Sequence, residues 1–425
     1  MDHFVYRDNQ LYCERVPLEQ IARAVGTPFY CYSEQTLQHH FAVFRDAFAA
    51  APHLICYSVK ANSNLAVLDT LLQQGAGFDI VSAGELARVQ RVGCPPERIV
   101  FSGVGKTSQE IRSALEYGIL LFNVESVGEL HRLNTLAGLL GRRAPVALRI
   151  NPDVDPQTHP HISTGLRRNK FGIPYNQALA LYREAATLPH VELLGLDCHI
   201  GSQLTALEPF VDALRRVLLL LNSLEREGIP LRYLDLGGGL GIPYEEGRLP
   251  PHPRLYASAL LAELAHSPFA QRQGTLILEP GRVIAGNAGV LVARVEYSKE
   301  GEEKRFLILD AGMNDLLRPA LYNAHHAILP VARRFGREER ATDVVGPICE
   351  SGDFFAHDRL LPTFQEGDLL AVRSAGAYGF VMSSNYNTRP RVAEVMVRGD
   401  RFAVVRRRES IEQLLENESL FGAST

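Results

Sequence analysis

From about residue 35 to 280, short apolar runs alternate with segments whose apolar positions recur at three- and four-residue spacing. The runs predict buried strands, and the spaced segments predict amphipathic helices packed on them. The strand candidates are Leu54–Val59, Phe78–Val81, Arg98–Phe101, Ile119–Phe122, Pro145–Ile150, Leu193–His199, Arg232–Leu236 and Thr275–Glu279. Helical patterns fall between them, as at Asn64–Gln74, Ala83–Val92 and Ser108–Tyr117; Ser82-Ala83-Gly84-Glu85 and Ser108-Gln109-Glu110-Ile111 read as helix starts. Such alternation predicts a parallel sheet with crossover connections. Eight strands predict an α/β fold of the closed (β/α)8 TIM type rather than an open doubly wound sheet.

After Glu279 the pattern changes. Val290–Tyr297, Phe306–Asp310, Ala327–Val331, Asp368–Val372, Val392–Arg398 and Phe402–Arg406 read as short strands, and helical spacing returns only at Ser410–Glu416. This predicts a second, mostly antiparallel β domain. Phe4–Arg7, Gln10–Cys13 and Phe29–Tyr32 also read as strands. The expected division is 1–34 packing with the C-terminal β domain, 35–280 as the barrel, and 281–425 as the β domain with a C-terminal helix.

Composition narrows the function. The 425 residues suffice for a barrel and a second domain, and a net charge of -4 gives no basic footprint for nucleic acid. Mean hydropathy is near zero, and the longest aliphatic stretch, around Val217–Leu221, is too short to span a bilayer. The start, Met1-Asp2-His3-Phe4, lacks the charged and apolar regions of a secretory signal. Six cysteines, none in a Cys-x-x-Cys pair, read as reduced thiols of a cytoplasmic protein. The 14 histidines show no zinc spacing, so no metal is expected.

Polar residues gather at the predicted C-terminal strand ends, where a barrel of this type holds its active site: Lys60, Asp79, Asn151, His199, the glycines after Leu236, and Glu279. Lys60 closes the apolar run Leu54–Val59. Its amine is either a desolvated nucleophile able to form a Schiff base or a snorkelling cation. Asp235-Leu236-Gly237-Gly238-Gly239-Leu240-Gly241 is either a phosphate cradle or a tight turn; Ile242 breaks the dinucleotide fingerprint. Gly103-Val104-Gly105-Lys106-Thr107 ends like a P-loop, but Val100 stands where the first glycine belongs. Glu279, in Glu279-Pro280-Gly281-Arg282, either holds a pyridinium nitrogen protonated or pairs structurally with Arg282. His199 either faces a cofactor or fills the core. In the β domain, Cys349 beside Glu350 is a proton donor or buried filler. Arg318 and Tyr322 lie one helical turn apart, a guanidinium and a phenol suited to a carboxylate. Tyr378 sits in a small-residue loop that can admit a phosphate or substrate.

Taken in order, these stretches resemble a known family: Tyr57–Asn62, Phe78–Glu85, Arg149–Val154, His161–Gly165, Asn169–Gly172, His199–Gln203, the triple glycine, Glu279–Arg282, Cys349–Asp353 and Ala377–Gly379. The chain is similar over nearly its whole length to diaminopimelate decarboxylases, pyridoxal-phosphate enzymes of the alanine-racemase-like fold, grouped with ornithine and arginine decarboxylases. The resemblance implies pyridoxal 5'-phosphate as cofactor and Lys60 as its Schiff-base lysine. His199 would stack on the ring and Glu279 would bind its nitrogen. Gly238, Gly239, Gly281 and Arg282 would hold the phosphate, with Tyr378 completing the shell. Asp79 and Ser202 would also belong to the cofactor site. Arg282, Arg318 and Tyr322, with Tyr378 nearby, would grip a distal carboxylate of a small diamino-acid substrate, Glu350 the distal amine. Cys349 would be the proton donor, arriving from the second subunit of a homodimer with shared active sites.

Three other functions compete. A decarboxylase for ornithine, arginine or carboxynorspermidine needs no Arg318 where its substrate lacks a distal carboxylate. A racemase of this fold puts arginine, not Glu279, near the ring nitrogen. A non-enzymatic cofactor-binding module lacks a second domain.

Overall fold

The computed structural model describes residues 2–154, 170–245, 247, 249–301 and 304–421. The motif His161–Gly165 and Asn169 therefore lie outside the described residues. The chain forms two compact units, Gln38–Ile284 and Met1–Leu37 with Ala285–Thr425.

In the first unit, eight parallel strands form a ring: β1 (His53–Ser58), β2 (Gly77–Ile80), β3 (Ile99–Phe101), β4 (Leu121–Val124), β5 (Ala144–Asn151), β6 (Val191–Asp197), β7 (Tyr233–Asp235) and β8 (Thr275–Leu278). Each pairs with the next, and β8 pairs with β1 through Leu276↔His53, so no edge is left open. Cys56, Val100, Leu121, Ala147, Tyr233 and Ile277 form an apolar plug contributed by six strands. Gly195 is required beside it: a Cβ there would lie 3.1 Å from both the Ala147 Cβ and the Tyr233 carbonyl.

Two local expectations need correction. The strand predicted over Leu54–Val59 ends at Ser58, whose N–H bonds the Pro280 carbonyl at 3.1 Å. Lys60 therefore sits not on the strand but on a single 3-10 turn, Val59–Ala61. Thr107, not Ser108, caps the helix Ser108–Tyr117: its hydroxyl accepts from the Glu110 N–H while the Glu110 carboxylate returns to the Thr107 N–H. Ser82 caps Ala83–Arg91 as its position predicts.

The second unit is a mostly antiparallel sheet. Phe29–Ser33 lies in it between Gly289–Glu300, antiparallel, and Ala393–Arg398, parallel. Two long strands there, Glu339–Val345 and Phe354–Pro362, escaped the sequence pattern. Charged residues, and register shifts between Thr342 and Val345, interrupt their alternation. The helix Leu18–Val25 also went unread; it buries Leu18, Ile21 and Ala22 against the sheet's core.

Candidate active site

Above the apolar plug, the barrel mouth is charged. Asp79, Asn123, Asp197 and Asp235 end or nearly end four strands and are buried, as is Glu279 just past β8. Lys60 reaches over from its turn and makes a short ion pair with Asp79 Oδ2. The Ser58 hydroxyl lies 2.9 Å from both that oxygen and the Glu279 carbonyl, tying the Lys60 turn to the end of β8. Gly281 tightens the same joint, since a Cβ on it would lie 2.9 Å from the Ala61 Cβ.

Glu279 does not pair with Arg282. Its Oε1 accepts from the Ser102 hydroxyl at 3.1 Å and from Asn123 Nδ2 at 3.2 Å; the same amide nitrogen lies 3.1 Å from Asp235 Oδ2. Burial, then the charge of Asp79, pushes the Glu279 carboxyl up to about 7. Burial also raises Asp197 and Asp235 well above the usual carboxylate range. Arg149 offsets part of this, at 2.9 Å from Glu125 and 3.7 Å from Asp197. Among the described residues, the buried carboxylates Asp79, Glu125, Asp197, Asp235 and Glu279 thus surround the two cations Lys60 and Arg149.

His199 follows β6 and is held by the glycine loop. Its Nδ1 accepts the Gly238 N–H at 3.1 Å, which leaves Nε2 as the protonated nitrogen of a neutral ring. Burial, with Arg149 and Lys60 nearby, keeps its pKa well below the ordinary value. The loop admits no side chains: a Cβ on Gly238 would sit 2.2 Å from the Glu279 carbonyl oxygen, and Gly239 has φ +113°. Arg282 is buried and donates to Ser202 Oγ at 3.0 Å and to Tyr244, which joins two expected site residues and adds a third.

The P-loop-like Lys106 is excluded as a nucleotide ligand. It is buried and donates to Gly103 and Asn123 carbonyls and to Glu129, at 2.8, 2.7 and 2.7 Å.

In the β unit, Arg318 and Tyr322 share the short helix Arg318–Tyr322. Arg318 is buried, and its NH1 lies 2.9 Å from Nε2 of His326. Cys349 is exposed, not buried filler. Its N–H donates to Asn387 Oδ1 at 2.7 Å, and buried Asp353 accepts from the Ile348 and Met313 N–H groups at 2.7 and 2.6 Å, fixing the turn that carries it. Glu350 is exposed beside it. Tyr378 has φ +55°, a left-handed conformation held between Gly376 and Gly379.

Sequence reasoning missed Ser102, Asn123, Tyr244 and His326, and gave no role to Ser58, Asp235 and Asp353 within the motifs it picked out. Asp235 and Asn123 at strand ends were findable by position; Ser102, Tyr244 and His326 are single polar residues without a motif.

The residues present fit pyridoxal phosphate. An excess of buried acid calls for a cationic ring nitrogen, a glycine cradle that Cβ atoms would fill admits a phosphate, and the amine of Lys60 stands at the mouth of the same barrel.

Residues 34–286 match the family model "Pyridoxal-dependent decarboxylase, pyridoxal binding domain". The chain is 57% identical to diaminopimelate decarboxylase of Vibrio cholerae over 99% of both chains, and 56% identical to that of Pseudomonas aeruginosa, again over 99% of each. Among solved structures, diaminopimelate decarboxylase of Helicobacter pylori, complexed with L-lysine, shares 43% identity with a TM-score of 0.90 over 94% of this chain and 98% of that one. Both the barrel with its strand-end chemistry and the appended β unit thus have full-length counterparts, and the chain belongs to the diaminopimelate decarboxylases, pyridoxal-dependent enzymes.

Proposed function

We propose that the chain converts meso-2,6-diaminopimelate to L-lysine and CO2, the last step of lysine biosynthesis, with the residues named above as its site. The observation that carries the substrate choice is Arg318, a buried arginine on a helix with Tyr322: a guanidinium kept from water is a strong partner for a carboxylate. A substrate whose far end is a plain amine gives it nothing to bind.

Lys60 is the amine that holds the cofactor's aldehyde, with Asp79 orienting it. Gly238, Gly239, Gly281, Arg282, Ser202 and Tyr378 hold its phosphate. Bound there, pyridoxal phosphate supplies an electron sink for the pair left behind when the α-carboxylate departs as CO2. Glu279 holds a proton at the ring nitrogen, and Asn123 and Ser102 fix its carboxylate for this. The neutral ring of His199 offers a flat apolar surface for stacking without adding charge. Arg318, Tyr322 and Arg282 bind the distal carboxylate, and Glu350 the distal amine. Cys349 of the partner subunit delivers a proton to the α-carbon, so the working form is a homodimer, here placed in the cytoplasm.

The test is CO2 release by the purified protein from meso-diaminopimelate, ornithine and arginine. Faster release from ornithine would sink the substrate assignment. Exchange of deuterium into the α-carbon without CO2 would favour a racemase, which Glu279 opposes.

A further inference from the structure

His326 is fully buried, and both ring nitrogens are engaged. Nδ1 lies 2.8 Å from the Arg373 carbonyl oxygen and Nε2 lies 2.9 Å from NH1 of Arg318. A carbonyl only accepts and a guanidinium only donates. The ring must therefore be the neutral Nδ1–H tautomer, with its one lone pair directed at Arg318. The backbone fixes the histidine in turn. Its carbonyl accepts from Arg359 NH1 at 3.0 Å, and the next carbonyl, Ala327, accepts the Arg373 N–H at 2.8 Å.

A neutral acceptor orients an arginine without cancelling its charge. An aspartate or glutamate at 326 would orient it as well but would neutralise it, leaving little attraction for a second carboxylate. We propose that His326 is a positioning residue that sets the guanidinium of Arg318 for the substrate's distal carboxylate, and that it thereby helps make the enzyme selective for a diacid. This rests on the reading of Arg318 as the carboxylate-binding residue.

The reaction supplies the probes. One carboxylate leaves the reacting carbon and the distal one stays, so L-lysine retains the group that Arg318 grips, whereas cadaverine lacks it. The test compares holoenzyme carrying His326→Phe, His326→Gln or Arg318→Met with the unaltered holoenzyme. Phenylalanine keeps the ring's bulk and has no acceptor; the glutamine amide oxygen replaces Nε2. For His326→Phe, the KM for meso-diaminopimelate should rise about 10-fold while kcat changes by less than about 3-fold, the size of one hydrogen bond to a charged group. The inhibition constant of L-lysine should rise by a similar factor, and that of cadaverine should stay put. His326→Gln should restore most of the loss, and cofactor absorbance should persist in all three variants. If Arg318→Met raises the KM and His326→Phe does not, the inference falls and the reading of Arg318 stands. If Arg318→Met also leaves the KM and the lysine preference unchanged, both fall. Equal impairment by glutamine and phenylalanine would overturn the role of the acceptor.

Discussion

The barrel mouth and the β unit solve opposite electrostatic problems. In the barrel, buried carboxylates outnumber cations, and Glu279 carries a carboxyl pushed up to about 7. In the β unit, NH1 of buried Arg318 lies 2.9 Å from an uncharged imidazole, that of His326. Under the proposed function, the first arrangement suits the ring nitrogen of the cofactor and the second the far carboxylate of the substrate. Variants of Lys60 and Glu279 in the barrel should therefore damage the chemical step or cofactor binding, and variants of Arg318 and Cys349 in the β unit should spare the cofactor.

The largest effect is expected at Lys60. Lys60→Ala should lower turnover by ~10⁴-fold or more and abolish the adduct trapped by borohydride, read by mass spectrometry. An adduct of undiminished yield elsewhere would break the assignment. Next, Glu279→Gln should cut kcat by about 10²- to 10³-fold with little change in KM. The same variant tests the charge imbalance directly. In cofactor-free protein the folded state holds the Glu279 proton more tightly than the unfolded state does, so this carboxyl stabilises the fold below about pH 4.5 and loses that contribution as pH rises to about 7. Removing it should flatten the fall of stability over that window by at most about 3 kcal/mol, measured by urea denaturation at several pH values. Cys349→Ala should lower turnover by about 10²-fold while the absorbance of bound cofactor is unchanged; loss of cofactor instead would blur the distinction between the units. Smallest is Thr107→Ala, which removes a helix cap remote from either charge. It should cost about 1 kcal/mol in unfolding free energy and leave kinetics untouched.

Much of the barrel could be read in the sequence because its parts are local and periodic. Eight apolar runs, each followed by a helix-spaced segment, leave few other topologies, and strand ends gave Lys60, Asp79, His199 and Glu279 at once. What escaped depends on pairings distant along the chain. Asn123 matters because it lies within hydrogen-bond reach of Asp235 and Glu279, and nothing near Asn123 announces residues more than a hundred positions away. His326 reads as an ordinary histidine until Arg373 and Arg318 fix its tautomer. The alternative of a Glu279–Arg282 pair failed for the same reason, since Ser202 and Tyr244 claim Arg282 from loops that adjacency in sequence does not reveal. The Glu339–Val345 and Phe354–Pro362 pair was invisible because its bulges disturb the one signal a strand offers.

The sequence contains only five lysines, at 60, 106, 170, 299 and 304. Lys106, locked under Gly103, Asn123 and Glu129, is out of reach of any reagent that cannot unfold the loop around it. Lys170, Lys299 and Lys304 are exposed. Among the lysine amines, an aldehyde therefore meets one inside the barrel mouth and three on the surface, with the fifth withheld. Arginine, which forms no such adduct readily, supplies most of the remaining positive charge. The outcome is a protein whose amine chemistry is sparse enough for a single modified peptide to report on the active site, a practical advantage for anyone who wishes to label it, immobilise it or follow its occupancy in a crude extract.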